Sequence, residues 1–143
     1  MGARTTSKAF DPSNDTSQGT ELAKRLLIVD DSRVSRMIIK GKVASLQLDW
    51  EVLEAASGDE AVQRALELRP DFITMDVNMP GMSGFDAAER LQALLPQARI
   101  AMLTANIQES SRERAQTLGV KFIQKPVTEA AIQQAVDYFR ASA

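Results

Sequence analysis

Five short apolar runs alternate with five stretches of helical periodicity, and this alternation restricts the chain more than any other feature. Residues 26–29, 72–75 and 100–103 are near-continuously apolar, residues 50–55 read as a mixed strand at an edge, and residues 120–124 as a final short one. Between them, Ser32 opens a helix with Val34, Met37, Ile38 and Gly41 at helical spacing on one face. Ser57-Gly58-Asp59-Glu60 matches a capping box, with Ala61, Val62 and Ala65 continuing a helical face until Arg69-Pro70 stops it. Residues 85–95 form the third helix. Residues 108–118 form a poorly amphipathic fourth, with Gly119 as its stop. Thr128 caps a fifth, whose Ile132, Ala135, Val136 and Phe139 fall at i, i+3, i+4 and i+7. Strands buried on both faces and separated by helices imply a parallel α/β sheet covered on both sides, with right-handed crossovers.

No internal repeat and no second core is visible in the 143 residues, so the reading is one domain over residues 25–143. Residues 1–24 are mostly Thr, Ser, Asp, Asn, Gly and Lys, with Phe10 the only bulky apolar side chain. Such a segment cannot bury enough surface to offset its ordering entropy, and a disordered tail is expected.

The apolar runs stop at polar residues: Asp30 and Asp31, Asp76, Thr104, and Lys125. In a parallel sheet the carboxyl ends of all strands share one edge, where open α/β sheets place their ligands. Taken singly, each residue has a plainer role, as a helix cap, a β-former or a solvated lysine. Taken together, they put three carboxylates, one hydroxyl and one amine in a single cup.

Here composition narrows the chemistry. The chain has no cysteine and no histidine, which removes thiol nucleophiles, zinc thiolate sites, Ser-His-Asp triads and phosphohistidine carriers. Three close carboxylates repel one another unless a cation or protons intervene. Mg²⁺ suits an all-oxygen donor set, because it prefers a few carboxylates, waters and a substrate phosphate. Lys125 would then meet the incoming phosphoryl oxygens and Thr104 would donate a hydrogen bond to one of them. Asp76, the most central carboxylate, would be the nucleophile, forming an aspartyl phosphate. A net charge of -2 gives no reason to expect nucleic acid or an anionic membrane as a partner, and no run is long and apolar enough to span a bilayer. A cytoplasmic location is the expectation.

Val29-Asp30-Asp31-Ser32, the segment from Met75-Asp76-Val77-Asn78 through Met79-Pro80-Gly81-Met82-Ser83-Gly84, Leu103-Thr104-Ala105-Asn106 and Lys125-Pro126 together resemble the receiver domains of two-component response regulators. The resemblance runs over about residues 25–141. It implies a flavodoxin-like, doubly wound, five-stranded parallel sheet with five helices. The strand order 2-1-3-4-5 comes with the resemblance rather than from the pattern. It also implies that Asp76 accepts a phosphoryl group from a sensor histidine kinase. Asp31, Asp76 and the backbone carbonyl of Asn78 would bind Mg²⁺, with Asp30 acting through water. Thr104 and Phe122 would form the switch that remodels the face built from the last two helices and the strand between them. A downstream protein target, or a phosphotransferase, would meet that face, and a monomer is the expected state. Phe122 has no hydroxyl, so a hydrogen bond from the switch ring is ruled out. Asn78 and Asn106 flank the site with uncharged amides. The weakly anchored fourth helix suits an element that shifts.

Nothing after the fifth helix reads as a DNA-binding or catalytic output unit, which favours signalling by protein contact in the manner of chemotaxis regulators. Two alternatives remain open. One is a phosphorelay intermediate or phosphate sink that passes its phosphoryl group to a histidine phosphotransferase. The other is a haloacid-dehalogenase-like phosphohydrolase, which needs two Asp separated by one residue. Here Asp30 and Asp31 are adjacent, and Asn78 stands two places after Asp76. A flavodoxin-like flavin binder is disfavoured, because the loop after Val29 lacks a hydroxyl- and Gly-rich phosphate cradle.

Overall fold

The structure is a computed structural model, and it describes residues 23–105 and 108–141. The strands are β1 (Lys24–Val29), β2 (Trp50–Ala55), β3 (Phe72–Asp76), β4 (Arg99–Thr104) and β5 (Lys121–Gln124). The helices are α1 (Arg33–Ser45), α2 (Gly58–Leu68), α3 (Gly84–Leu94), α4 (Glu109–Leu118) and α5 (Glu129–Ala141). The sheet order is β2-β1-β3-β4-β5 and every neighbouring pair is parallel. The expected edge position of β2 and the five-fold alternation are both present. β1 opens at Lys24, opposite Trp50. The tail expected over residues 1–24 lies, up to residue 22, outside the described residues.

Alternate residues along each strand feed two cores. Leu27, Val29, Ile73, Met75, Ile100 and Met102 pack under α2, α3 and α4. Leu26, Ile28, Phe72, Leu103 and Ile123 pack under α1 and α5 with Ile39, Val43, Ile132 and Phe139. At the amino end of the sheet Phe72 stacks on Phe139 at 4.8 Å between ring centroids, and Trp50 tilts onto Phe72 at 4.8 Å. Each such pair adds about 1 kcal/mol beyond its buried area.

The helix starts follow the predicted capping chemistry. Ser32 Oγ accepts from the Ser35 amide, Ser57 Oγ from Glu60, and Thr128 Oγ1 from Ala131. Glu60 reaches back to the Ala56 amide at 2.8 Å, and that hydrogen bond holds its carboxyl below the usual range. Gly119 takes the left-handed cap of α4, with φ 72°.

The predicted face of α1 forms, but it is not the buried one. Val34, Met37, Ile38 and Gly41 do share a face of α1, but that face points to solvent, with Val34 and Met37 exposed by 65% and 62%. The helix is anchored instead by Ile39 and Val43, one turn apart, on the α5 side of the sheet. Spacing alone could not choose between two apolar stripes, and contact with α5 did.

Thr74 is buried in the middle of β3 between Ile28 and Ala101, and its Oγ1 has no hydrogen-bond partner among the described residues. A hydroxyl desolvated without compensation is costly, so Thr74→Val, nearly the same shape, is expected to stabilise the protein by about 1 kcal/mol. Urea denaturation checks this, and a lower midpoint would refute it.

Candidate functional site: an acidic cup at the carboxyl edge

The crossover topology brings the ends of β1, β3, β4 and β5 to one edge. At the end of β1, the Asp30 amide still bonds Ala55 O of β2 at 3.2 Å, so the strand geometry carries one residue past Val29. Asp30 is only 2% exposed. Its Oδ1 accepts from the Ser32 amide at 2.9 Å, and its Oδ2 accepts from Lys125 Nζ at 3.1 Å. Asp31 follows at the exposed rim.

Asp76 closes β3, and Lys125 Nζ lies 3.6 Å from its Oδ1. The loop beyond it returns tightly. The Gly84 amide donates to Val77 O at 2.9 Å, and Ser83 caps α3 through the Asp86 amide. Gly84 packs so closely that a Cβ there would fall on the Asp76 carbonyl oxygen and within 2.9 Å of Val77 Cα. The Met-Pro-Gly turn thus runs back against the residue it follows, and only glycine allows it.

One oxygen each from Asp30, Asp31 and Asp76 can be chosen so that all three lie within 4.8 Å of one another. Burial first, and then the neighbouring charge of Asp30, push the Asp76 carboxyl up to about 6, with Lys125 pulling the other way and Asp31 adding to the rise. One ammonium among three carboxylates leaves the cup short of positive charge. The donor set is entirely oxygen, crowded and partly desolvated, and it fits a hard divalent cation.

The remaining predicted positions are distributed around this centre. Thr104 ends β4, fully buried, and its carbonyl accepts from the Lys125 amide at 2.8 Å, which ties the ends of β4 and β5 together. Asn78 lies in the exposed loop two residues beyond Asp76. Phe122 is half-buried on β5 opposite Met102, outside the cup, with the Arg112 guanidinium 5.4 Å from its ring centroid. Asn106 lies outside the described residues. The structure therefore brings together Asp30, Asp31, Asp76 and Lys125 and sets Phe122 apart on a neighbouring face.

Two participants were not visible in the sequence. Gly84 read as one glycine of a turn, and its contact with Asp76 appears only once the loop has folded back. Arg36 belongs to no motif, yet its Nη1 donates to the Asp30 carbonyl at 2.7 Å. No sequence signal marked Arg36, and Gly84 stood out only as the last residue of the motif that follows Asp76.

A doubly wound five-stranded parallel sheet with an acidic cup at its carboxyl edge places the chain in the flavodoxin-like α/β class. The chain belongs to the response regulator receiver domain family, whose model matches residues 26–137. Chemotaxis protein CheY of Thermotoga maritima is 37% identical over 118 residues, covering 81% of this chain and 97% of that protein. Chemotaxis protein CheY of Bacillus subtilis is 38% identical over 117 residues, with the same two shares. Among solved structures, a CheX–CheY complex from Borrelia burgdorferi crystallised with BeF3 and Mg²⁺ matches at a TM-score of 0.74 and 27% identity, over 82% of this chain and 90% of that one. CheY-like receiver domains act as signalling switches. No helix among the described residues is long and apolar enough to cross a membrane.

Proposed function

We propose that this chain is a response regulator that takes a phosphoryl group onto Asp76 from a sensor histidine kinase and thereby switches a protein-interaction surface. The observation that carries this reading is the meeting of Asp30, Asp31, Asp76 and Lys125 at one sheet edge. Asp31, Asp76 and the Asn78 backbone carbonyl would hold Mg²⁺, with Asp30 acting through water. Bound there, the ion would offset the crowded carboxylates and draw charge from the phosphoryl oxygens.

The residues of the chain do the rest. An ionised Asp76 Oδ attacks phosphorus, and an O–P bond forms as the bond from phosphorus to the donor imidazole nitrogen breaks, the nitrogen keeping the electron pair. Lys125, which reaches both Asp30 and Asp76, pairs with an oxygen of the arriving group, and the Thr104 hydroxyl donates to another. The work is positioning and charge neutralisation, as phosphoryl transfer requires.

The output face is α4, β5 and α5. Two features support this. A hollow of about 270 Å³ is lined there by Arg112, Phe122, Gln124, Thr128 and Gln134 among others. In addition, α4 buries only Ser111 and Ala115 and leans on charge, with Arg114 Nη2 donating to Asp86 Oδ1 of α3 at 2.6 Å. An element held this lightly is suited to shift when Thr104 engages a phosphoryl group. A downstream protein or a phosphotransferase would read that face, and the Borrelia relative crystallised with CheX shows that a similar chain takes a protein partner.

Acetyl phosphate with Mg²⁺ is expected to add one phosphoryl group, located on Asp76 by peptide mass spectrometry, and EDTA is expected to abolish the labelling. Labelling that persists in EDTA, or that maps to another residue, would overturn the reading. A pull-down comparing phosphorylated and unphosphorylated protein then identifies what the face binds.

A further inference from the structure

Arg36 touches none of the carboxylates in the cup, yet it grips the backbone that carries two of them. Its guanidinium is largely buried, with the side chain 15% exposed. Nη1 donates to the Asp30 carbonyl at 2.7 Å, and Nε donates to Glu54 Oε1 of β2 at 2.9 Å. The other oxygen of Glu54 lies 3.7 Å from Lys40 Nζ, one turn further along α1. Arg36 therefore bridges an anchored acid on β2 to the peptide that joins Asp30 to Asp31.

That peptide is planar, so holding its oxygen also holds the direction of the Asp31 amide and Cα. The two acids differ in how they are fixed. The Asp30 carboxylate is tied at both oxygens, to the Ser32 amide and to Lys125. The Asp31 side chain makes no hydrogen bond or ion pair among the described residues and stands at the exposed rim. Its placement beside Asp30 and Asp76 depends on its backbone, and Arg36 is the side chain that holds this backbone.

We propose that Arg36 is a positioning residue for the divalent cation: by clamping the Asp30–Asp31 peptide against Glu54 it presents the Asp31 carboxylate to the ion. This rests on the reading of the cup as an Mg²⁺ site. The sign of the effect separates positioning from charge. A guanidinium near an acidic cluster repels an incoming cation, so removing it by charge alone would tighten Mg²⁺ binding. Losing the clamp weakens it, because partners that orient metal ligands typically govern about 10- to 100-fold in affinity.

The test is calorimetric titration of Mg²⁺ into the parent, Arg36→Met, Arg36→Lys and Glu54→Gln proteins, with metal-free melting recorded for each. Arg36→Met is expected to bind Mg²⁺ about tenfold more weakly, as expected for a lost outer partner. Arg36→Lys keeps the charge but cannot span both the carbonyl and Glu54, and is expected to fall in between. Glu54→Gln is expected to weaken binding while Arg36 remains. If Arg36→Met does not fold, Arg36→Lys against the parent decides. Unchanged or tighter Mg²⁺ binding in the folded variants, even with a lowered melting temperature, would overturn the proposal and leave the metal site standing. A parent that binds no Mg²⁺ would overturn the metal site and this inference with it.

Discussion

Asp76→Asn is expected to lose all phosphoryl acceptance and, in the same protein, to make the metal-free fold more stable than the parent by about 1–2 kcal/mol at about pH 7.5. The first effect follows from removing the attacking oxygen. The second follows from the cost of keeping Asp76 ionised, since burial and Asp30 raise its carboxyl to about 6 from an ordinary 3.8. A rise of that size, which already includes the attraction of Lys125, corresponds to about 3 kcal/mol at most, and solvent screening reduces it to the smaller figure. In the folded parent the group binds a proton more readily than in the unfolded chain. The contribution of Asp76 to the stability of the parent is therefore most favourable below the unfolded value and declines as pH rises through about 4 to 6. The advantage of the variant should be largest above about pH 6 and fade toward pH 4. Urea denaturation in EDTA at several pH values measures it. Adding Mg²⁺ should narrow the gap by stabilising the parent more. A variant less stable than the parent at neutral pH in EDTA would show that Lys125 outweighs burial and repulsion at this site.

Gly84→Ala should have the largest structural effect of any glycine-to-alanine change among the described residues. The added Cβ would meet backbone rather than a movable side-chain tip, namely the carbonyl of Asp76 and Cα of Val77. Relief requires moving the return of the loop, with loss of the 2.9 Å hydrogen bond from the Gly84 amide to Val77 O. The expected cost is about 3 kcal/mol or more. Because the clash falls on Asp76 itself, acceptance of phosphate from acetyl phosphate should drop in whatever fraction stays folded. Thermal melting and labelling under Mg²⁺ check the two effects together. A variant with the melting temperature and labelling rate of the parent would mean that the loop does not close as described.

Much of this site could be read from where apolar runs end. A strand buried on both faces tolerates no unpaired charge, so Asp30, Asp76 and Lys125 could sit only at strand termini, and parallel pairing then brought those termini together. The caps were legible for a similar reason, since Ser32, Ser57 and Thr128 act on amides three residues away. Features that depend on contact between distant segments were not legible. The buried stripe of α1 was decided by α5, which sequence spacing could not reveal, and so Val34, Met37 and Ile38 face water. Gly84 matters because of a carbonyl eight residues earlier, brought against it by the loop's return. Arg36 matters because β2 places Glu54 behind it. The strand order came from family resemblance, because periodicity says nothing about which strands are neighbours.

The aromatic cluster at the amino end of the sheet has one further consequence. Trp50, the sole indole of the chain, leans on Phe72 beside Phe139. It lies at the opposite end of the six-residue β2 from Ala55, roughly 16 Å along the strand from the carboxyl edge. Its fluorescence is therefore a gauge of whether the hydrophobic layers are assembled, read at the far end of the strand from the acidic cup. Loss of fold can therefore be followed by indole fluorescence, without an attached probe, alongside the labelling assay proposed for Asp76.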